Sequence, residues 1–165
     1  MAVSLKRRIF LTMNPALKIV LAIPLLLVAW FAILSLLSQR GKALGLRDRK
    51  LAPCSSKPNG VSSESGTPAT NQMEPIRISG IKGPAWDRLL EEIRALGGSV
   101  KTNEPDHYLW ATFSSKLFRF VDDLECRMDT TSGHIHLRSA SRVGRSDFGA
   151  NRQRVEALRA AVQGR

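Results

Sequence analysis

Cysteine is scarce in this 165-residue chain, which contains only Cys54 and Cys126. Two cysteines cannot form the dense disulfide framework by which very small secreted domains are stabilised. In an oxidising compartment the two thiols could pair, and in a reducing one they would stay free. The fold must therefore be held together by an apolar core, and the sequence leaves the state of the thiols open.

Familiar catalytic motifs are also missing, since the chain has no G-x-S-x-G, no phosphate-binding P-loop and no Cys-x-x-Cys. Histidine is rare as well. His134 and His136 share one face of a predicted strand, and Asp129 is the nearest further ligand, whereas zinc needs three or four ligands. We therefore expect no metal and no cofactor, and a non-enzymatic role rather than an enzyme.

Acidic residues are almost absent from the first 50 positions, which hold nine Lys or Arg and only Asp48 as an acid. The remaining 115 residues hold sixteen basic and thirteen acidic residues, so most of the net charge of +11 belongs to the N-terminal third. A nucleic-acid-binding domain would carry its excess charge on the folded part. Basic residues that flank an apolar run instead suit the anionic headgroups of a lipid bilayer, which is the partner that we expect.

Residues 19–37 carry no charge, and all but Pro24 and Ser35 are apolar. As a helix this run would span about 28 Å, close to the thickness of the hydrocarbon core. A cleaved signal peptide has a shorter apolar core and a small-residue cleavage site, and a buried soluble helix would show a polar face. A single transmembrane helix is therefore the preferred interpretation.

The basic residues on the two sides of this run are nearly balanced, so the positive-inside rule does not separate the two orientations. Our working expectation is a single-pass protein of the inner (plasma) membrane with its soluble domain on the periplasmic side. We divide the chain into a basic flank (1–18), a transmembrane helix (19–37), a second flank with Cys54 and a linker (38–73), and a folded domain (74–165).

The folded domain alternates strand-like and helix-like patterns. The expected elements, in chain order, are a strand at 76–81, a helix from Pro84 to about 96, strands at 99–102 and 108–113, a hairpin of 118–129 with 134–142, and a helix starting near Asp147 with Ser146 as its N-cap. In that last helix we expect Phe148 and Val155 on the buried stripe. This order predicts an α+β fold, with an antiparallel sheet of about five strands and two helices packed on it.

The hairpin can be interpreted face by face if Asp129 lies opposite His134. One face then holds Asp122, Leu124, Cys126 and Met128, with Ser141, Ser139, Leu137 and Ile135 opposite. The other face holds Asp123, Glu125 and Arg127, with Arg138 and His136 opposite, and we expect it to be a solvated ionic surface. A slip of one residue would exchange the faces.

On the first face, Asp122 occupies a position where an apolar residue is expected, and an unpaired buried carboxylate is costly. Asn151 and Arg152 fall on the inner side of the last helix. A polar cluster is therefore predicted, with the candidate residues Asp122, Ser139, Ser141, Arg142, Arg145, Asn151 and Arg152. It could be a structural hydrogen-bond network or a small-anion site beside a helix N-terminus, although Asp147 would compete with an anion there.

Three stretches resemble a known family: LAPCSSKPNGVSS at 51–63, FRFVDDLECRMD at 118–129 and IHLRSASRVGRSDFGANRQRVEALR at 135–159. They are similar to the domain of unknown function 1499, from about Leu51 to the C-terminus. The resemblance implies a small envelope or membrane-associated domain in bacteria, with plastid relatives in plants, and no established activity. Where relatives often have a second cysteine in the first motif, this chain has Gly60.

Carried over by this resemblance, the polar motif comprises Asp122, Asp123, Arg138, Ser139, Ser141, Arg142, Ser146, Asp147, Asn151 and Arg152. We therefore expect a non-enzymatic binding or assembly module at the cell envelope, whose partner could be another envelope protein. The alternative is a binder of small anionic ligands, or an enzyme, that uses Asp122, Ser141 and Arg152. An open cleft around these three residues would favour the alternative, and full burial would favour the structural network.

Overall fold

The computed structural model describes residues 14–78 and 82–164. The first thirteen residues of the predicted basic flank, and residues 79–81 of the strand predicted at 76–81, lie outside the described part of the chain.

The described chain begins with a long apolar helix, α1, at Pro15–Gln39. Asn14 caps it, because its side-chain oxygen accepts a hydrogen bond from the Ala16 amide at 2.9 Å, and Pro15 occupies a first-turn position that needs no amide donor. The helix has 25 residues and is long and apolar enough to cross a membrane, and only 6% of its most apolar window is buried. This exposure excludes α1 as a core helix of the described fold.

The folded part is built on an antiparallel six-stranded sheet. Its strands are β3 (Gly60–Ser62), β4 (Ile76–Arg77), β5 (Ser99–Glu104), β6 (Tyr108–Ser114), β7 (Val121–Asp129) and β8 (His134–Ser141). The strand order is β3-β8-β7-β6-β5, with β4 pairing β8 beside β3. A separate two-stranded hairpin is formed by β1 (Leu46–Arg47) and β2 (Lys50–Leu51).

Two helices, α2 (Lys82–Ala95) and α3 (Ala150–Gln163), supply the apolar residues that pack on one face of this sheet. The largest fully buried side chains at this contact include Trp86, Leu89 and Leu158 from the helices and Leu124 and Leu137 from the sheet. The predicted α+β class is confirmed, and the strand count is close to the expected one.

The predicted hairpin register is confirmed, since Asp129 pairs with His134 and Asp122 pairs with Ser141. The apolar phase of both strands determines this pairing, because a one-residue slip would turn Leu124 and Leu137 away from the helices.

The start of α3 differs from the prediction. The helix begins at Ala150, and the Asp147 carboxylate, not Ser146, accepts from the amides of Gly149 and Asn151 at 3.0 and 2.8 Å. Phe148 therefore lies outside the helix, in a left-handed conformation with φ 54°, and its side chain is 95% exposed. The expectation that Phe148 is buried is wrong.

The second face of the sheet is covered by the chain between α1 and β3. Within the range predicted as flank and linker, residues 60–62 form strand β3, and Leu51 of β2 is buried. The expectation of a solvated ionic face is therefore wrong, since Glu125 is fully buried and Asp123 and Arg127 are nearly so.

Helix α1 ends against the edge of this covered face. The buried Ser38 hydroxyl accepts a hydrogen bond from the Val121 amide at 2.7 Å, and Arg142 donates to the Ser38 carbonyl at 2.9 Å. About two turns earlier, Phe31 stacks on Phe118 with ring centroids 4.7 Å apart and contacts Phe120 at 6.2 Å. The end of α1 is thus joined directly to the sheet.

Candidate functional site

The predicted polar cluster forms where β7, β8 and α3 meet. The Ser141 hydroxyl donates to Asp122 Oδ1 at 2.6 Å, and the Ser139 hydroxyl donates to Asn151 Oδ1 at the same distance. Asn151 Nδ2 in turn donates to Ser141 Oγ at 3.2 Å and to the Asn59 carbonyl at 3.1 Å. Because Ser139 and Asn151 are fully buried, these bonds satisfy groups that water does not reach.

The cation of this cluster is Arg154, which was not among the residues predicted from the sequence. Arg154 Nη2 donates to Asp122 Oδ2 at 3.0 Å, and Nη1 donates to Ser139 Oγ at 2.8 Å and to Asn151. Its guanidinium also lies 4.1 Å from the centroid of the Phe113 ring. The spacing of three residues from Asn151 is the signal that could have found it, since i and i+3 share a helix face.

The other predicted basic residues lie elsewhere. Arg152 donates to the Thr70 carbonyl at 2.9 Å and to Met73, so it does not meet Asp122 as expected. Arg145 is exposed in the loop after β8. Arg142 extends over the opposite face of the sheet, where Nε and Nη2 bind both carboxylate oxygens of Asp123 at 2.8 and 2.7 Å.

This opposite face holds a buried ion-pair layer, which we define as the pairs Arg127–Glu64, Arg138–Glu125 and Arg142–Asp123. In all three pairs the side chains are at least 87% buried, since the largest exposure is 13%. Two of the carboxylates, Asp123 and Glu125, lie two residues apart on one face of β7. The third, Glu64, follows β3. The chain between α1 and β3 covers the layer, with the Gly45 and Leu51 amides bonded to its carboxylates, so the sequence pattern of the hairpin alone gave no sign of its burial.

Glu125 accepts three hydrogen bonds, each from a different residue. Its Oε1 accepts from the Tyr108 hydroxyl at 2.9 Å and from the Gly45 amide at 2.8 Å, while Oε2 accepts from Arg138 at 3.0 Å. Burial, together with the negative charge of Glu125, raises the pKa of Tyr108 well above its usual range. The phenol therefore stays protonated and remains a donor to the carboxylate.

At the other end of the layer, burial favours the neutral form of Glu64, but hydrogen bonds from Arg127 and from the Leu51 amide outweigh it and hold the pKa below its usual value. His136 lies beside this pair, with Nδ1 at 3.3 Å from Ser63 Oγ. Burial and the neighbouring Arg127 charge lower the pKa of His136. The imidazole is therefore neutral at pH 7.

Beside the ion-pair layer is a recess of about 170 Å³ between the Cys54 segment and β8. Gly60 and Ala140 face each other there, and a Cβ on Gly60 would approach that of Ala140 to 2.8 Å. The basic side chains that line it are Lys57, Arg138 and Arg142. The Nε atom of Arg138 is buried without a hydrogen-bond partner.

The two cysteines lie on different faces of the sheet. Cys126 is packed in the core under the helices, whereas Cys54 lies near Arg138 on the covered face, and both are free. Burial raises the pKa of both thiols, although the Arg138 charge opposes this shift at Cys54. Neither thiol is thus activated as a nucleophile.

The three histidines do not assemble a metal site, and within residues 14–78 and 82–164 no group of three His, Cys, Asp or Glu residues could hold a metal ion. As the register predicts, His136 lies on the face opposite Ser139 and Ser141. Neither hairpin histidine can therefore complete a Ser–His–Asp arrangement at these serines.

A family model described as a protein of unknown function, DUF1499, matches residues 50–162. The chain belongs to this family. The resemblance noted from the three sequence stretches is thereby confirmed, and the DUF1499 match includes β3, both faces of the sheet and both packing helices. No curated protein matches the chain.

Proposed function

We propose that this DUF1499 protein is a single-pass membrane protein whose domain is a non-enzymatic binding or assembly module at the bacterial envelope. The observation that carries the proposal is the direct connection between the apolar helix and the sheet. Ser38 is completely buried between them and is bonded to Val121 through its side chain and to Arg142 through its carbonyl.

This connection matters because a flexible linker would let the domain move freely above the membrane. Here the chain passes from α1 into residues that cover the ion-pair layer, and Arg142 joins that layer to the end of the helix. A rigidly oriented domain presents the same surface to its surroundings, as an assembly module requires.

The polar cluster supports a structural role rather than catalysis. Asp122 is 16% exposed at its side chain and is paired with Ser141 and Arg154, while Arg152 contacts a different segment. Asp122, Ser141 and Arg152 therefore do not surround one cleft. The cluster instead fastens α3 to the β7–β8 hairpin.

Alkaline carbonate extraction of membranes tests the single span, and the full-length chain should stay in the pellet. Recovery in the soluble fraction would refute it. Proteolysis of intact spheroplasts, with inside-out vesicles as the control, tests the side: a periplasmic domain is digested only in the spheroplasts.

The recess beside Cys54 favours a second candidate function, the binding of a small anion. It is lined by Lys57, Arg138 and Arg142, and the buried N–H group at Arg138 Nε is a hydrogen-bond donor without an acceptor. Titration calorimetry of the full-length chain in detergent with inorganic phosphate and sulfate tests this function. Saturable binding that is weakened by Lys57→Gln, but not by the control Lys101→Gln at an exposed position of β5, would support it. The absence of saturable heat would refute it.

A further inference from the structure

We propose that the loop between β6 and β7, residues 115–120, inserts into the lipid bilayer interface beside α1 as a second membrane contact. This inference rests on the proposed membrane span of α1. The loop sequence is Ser-Lys-Leu-Phe-Arg-Phe, so it offers three apolar side chains and two basic ones.

The position of the loop along α1 is the first argument. Phe118 stacks on Phe31, which lies seven residues before Ser38 and therefore about 10 Å back along the helix axis. Ile33, Leu36 and Leu37 lie between Phe31 and the C-terminal end of α1. They are more than half exposed, on the sides of α1 that the domain does not cover. If these side chains lie in lipid, the Phe118 ring beside Phe31 lies at or inside the bilayer interface too.

The exposed apolar surface of the loop is the second argument. Leu117 is 80% exposed at its tip, which in water leaves a large apolar side chain unburied. Lys116 and Arg119 are exposed on either side of the tip. Long basic side chains suit this place, because their stems lie along apolar surface while their charges reach anionic headgroups.

The backbone of the loop is the third argument, because polar backbone groups near lipid must be satisfied internally. The Ser115 amide donates to the Phe120 carbonyl at 2.8 Å, and the Phe120 amide donates to Ser115 Oγ at 3.0 Å. The Arg119 amide donates to the Ser115 carbonyl at 3.2 Å, with Arg119 in a left-handed conformation that closes the turn. The amides of Ser115, Arg119 and Phe120 are thus satisfied within the loop, which lowers the cost of placing it in the interface.

The test uses the full-length chain in vesicles of zwitterionic and anionic phospholipids, with an environment-sensitive fluorophore on Leu117→Cys. Lipids that carry a nitroxide near the headgroup serve as quenchers. The matched control is Thr131→Cys in the turn at the far end of β7, which at about 3.3 Å per residue lies roughly 30 Å from the start of that strand. The unsubstituted chain measures background labelling, since both native cysteines are buried.

We expect the fluorophore at position 117 to shift to the blue and to lose at least about half of its intensity to the nitroxide lipids, as a group held in the interface does. The fluorophore at 131 should lose none. If the chain floats with the vesicles but position 117 is not quenched, loop insertion is wrong and the span of α1 stands. If the chain does not float, the span and the loop insertion are both wrong. A blue shift without lipid quenching would indicate contact with a second protein surface and would also overturn the proposal.

Discussion

The substitution Glu125→Gln tests whether the buried ion-pair layer stabilises the fold through its charges. Glutamine keeps the size of glutamate and one carbonyl oxygen, so the bonds from the Tyr108 hydroxyl and the Gly45 amide can persist. The group that replaces Oε2 is then an amide donor that faces Arg138, also a donor, where a 3.0 Å ion pair now stands. Because the Nε atom of Arg138 has no hydrogen-bond partner, its charge would be left largely uncompensated in a buried place.

Removing one partner of a buried ion pair costs about 3–5 kcal/mol. Since two of the three hydrogen bonds to Glu125 survive, we expect the lower end, about 3 kcal/mol. With an m-value of about 2 kcal/mol/M, the urea midpoint should fall by roughly 1.5 M. Detergent-solubilised protein can be followed by tryptophan fluorescence, because Trp110 donates to Asp123 in the same layer.

Two further variants make this result interpretable. Glu91→Gln, at an exposed position of α2, is the matched control and should leave the midpoint unchanged. The double variant Glu125→Gln/Arg138→Met should recover part of the loss, because no buried charge is then left alone. A midpoint for Glu125→Gln within error of the unsubstituted protein, or a double variant less stable than the sum of its single substitutions, would refute the reasoning.

Three other predictions concern the cluster, the histidine and the helix contact. Asp122→Ala should cost roughly 1–3 kcal/mol in urea melts, because it leaves Arg154 without its carboxylate, and an unchanged midpoint would contradict the network. Because the folded-state pKa of His136 is lowered, the unfolded chain binds more protons. Stability should therefore be full above the unfolded value of about 6.5 and decline as the pH falls through the folded pKa, and His136→Gln should flatten this decline in melts between pH 7 and 5. Phe31→Ala should loosen the helix contact by about 0.5–1.5 kcal/mol beyond lost burial and speed hydrogen exchange of the Val121 amide, and unchanged exchange would speak against that contact.

The sequence alone determined the local features of this protein. The length and apolarity of α1 follow from an unbroken apolar run. The α+β class and the hairpin register follow from patterns that repeat every two or three to four residues, and the structure agrees with each of these features. The pairing of Asp122 with Ser141 follows from the register, since directly opposed residues on one face must meet.

The choice between Arg152 and Arg154 needed the tertiary structure. Both residues flank the buried stripe that runs through Asn151 and Val155, and helical spacing does not say on which side the β7–β8 hairpin lies. The packing of α3 places Arg154 over Phe113 and Asp122, and directs Arg152 toward Thr70.

The burial of the ion-pair layer was also decided only by the tertiary structure. Alternating charges on a strand indicate an exposed face, because an isolated strand offers them no partner other than water. Here Glu64, which lies 63 residues before Arg127, and the chain around Gly45, 80 residues before Glu125, close over that face. Local periodicity reports which residues share a face, whereas the long-range path of the chain determines what covers it.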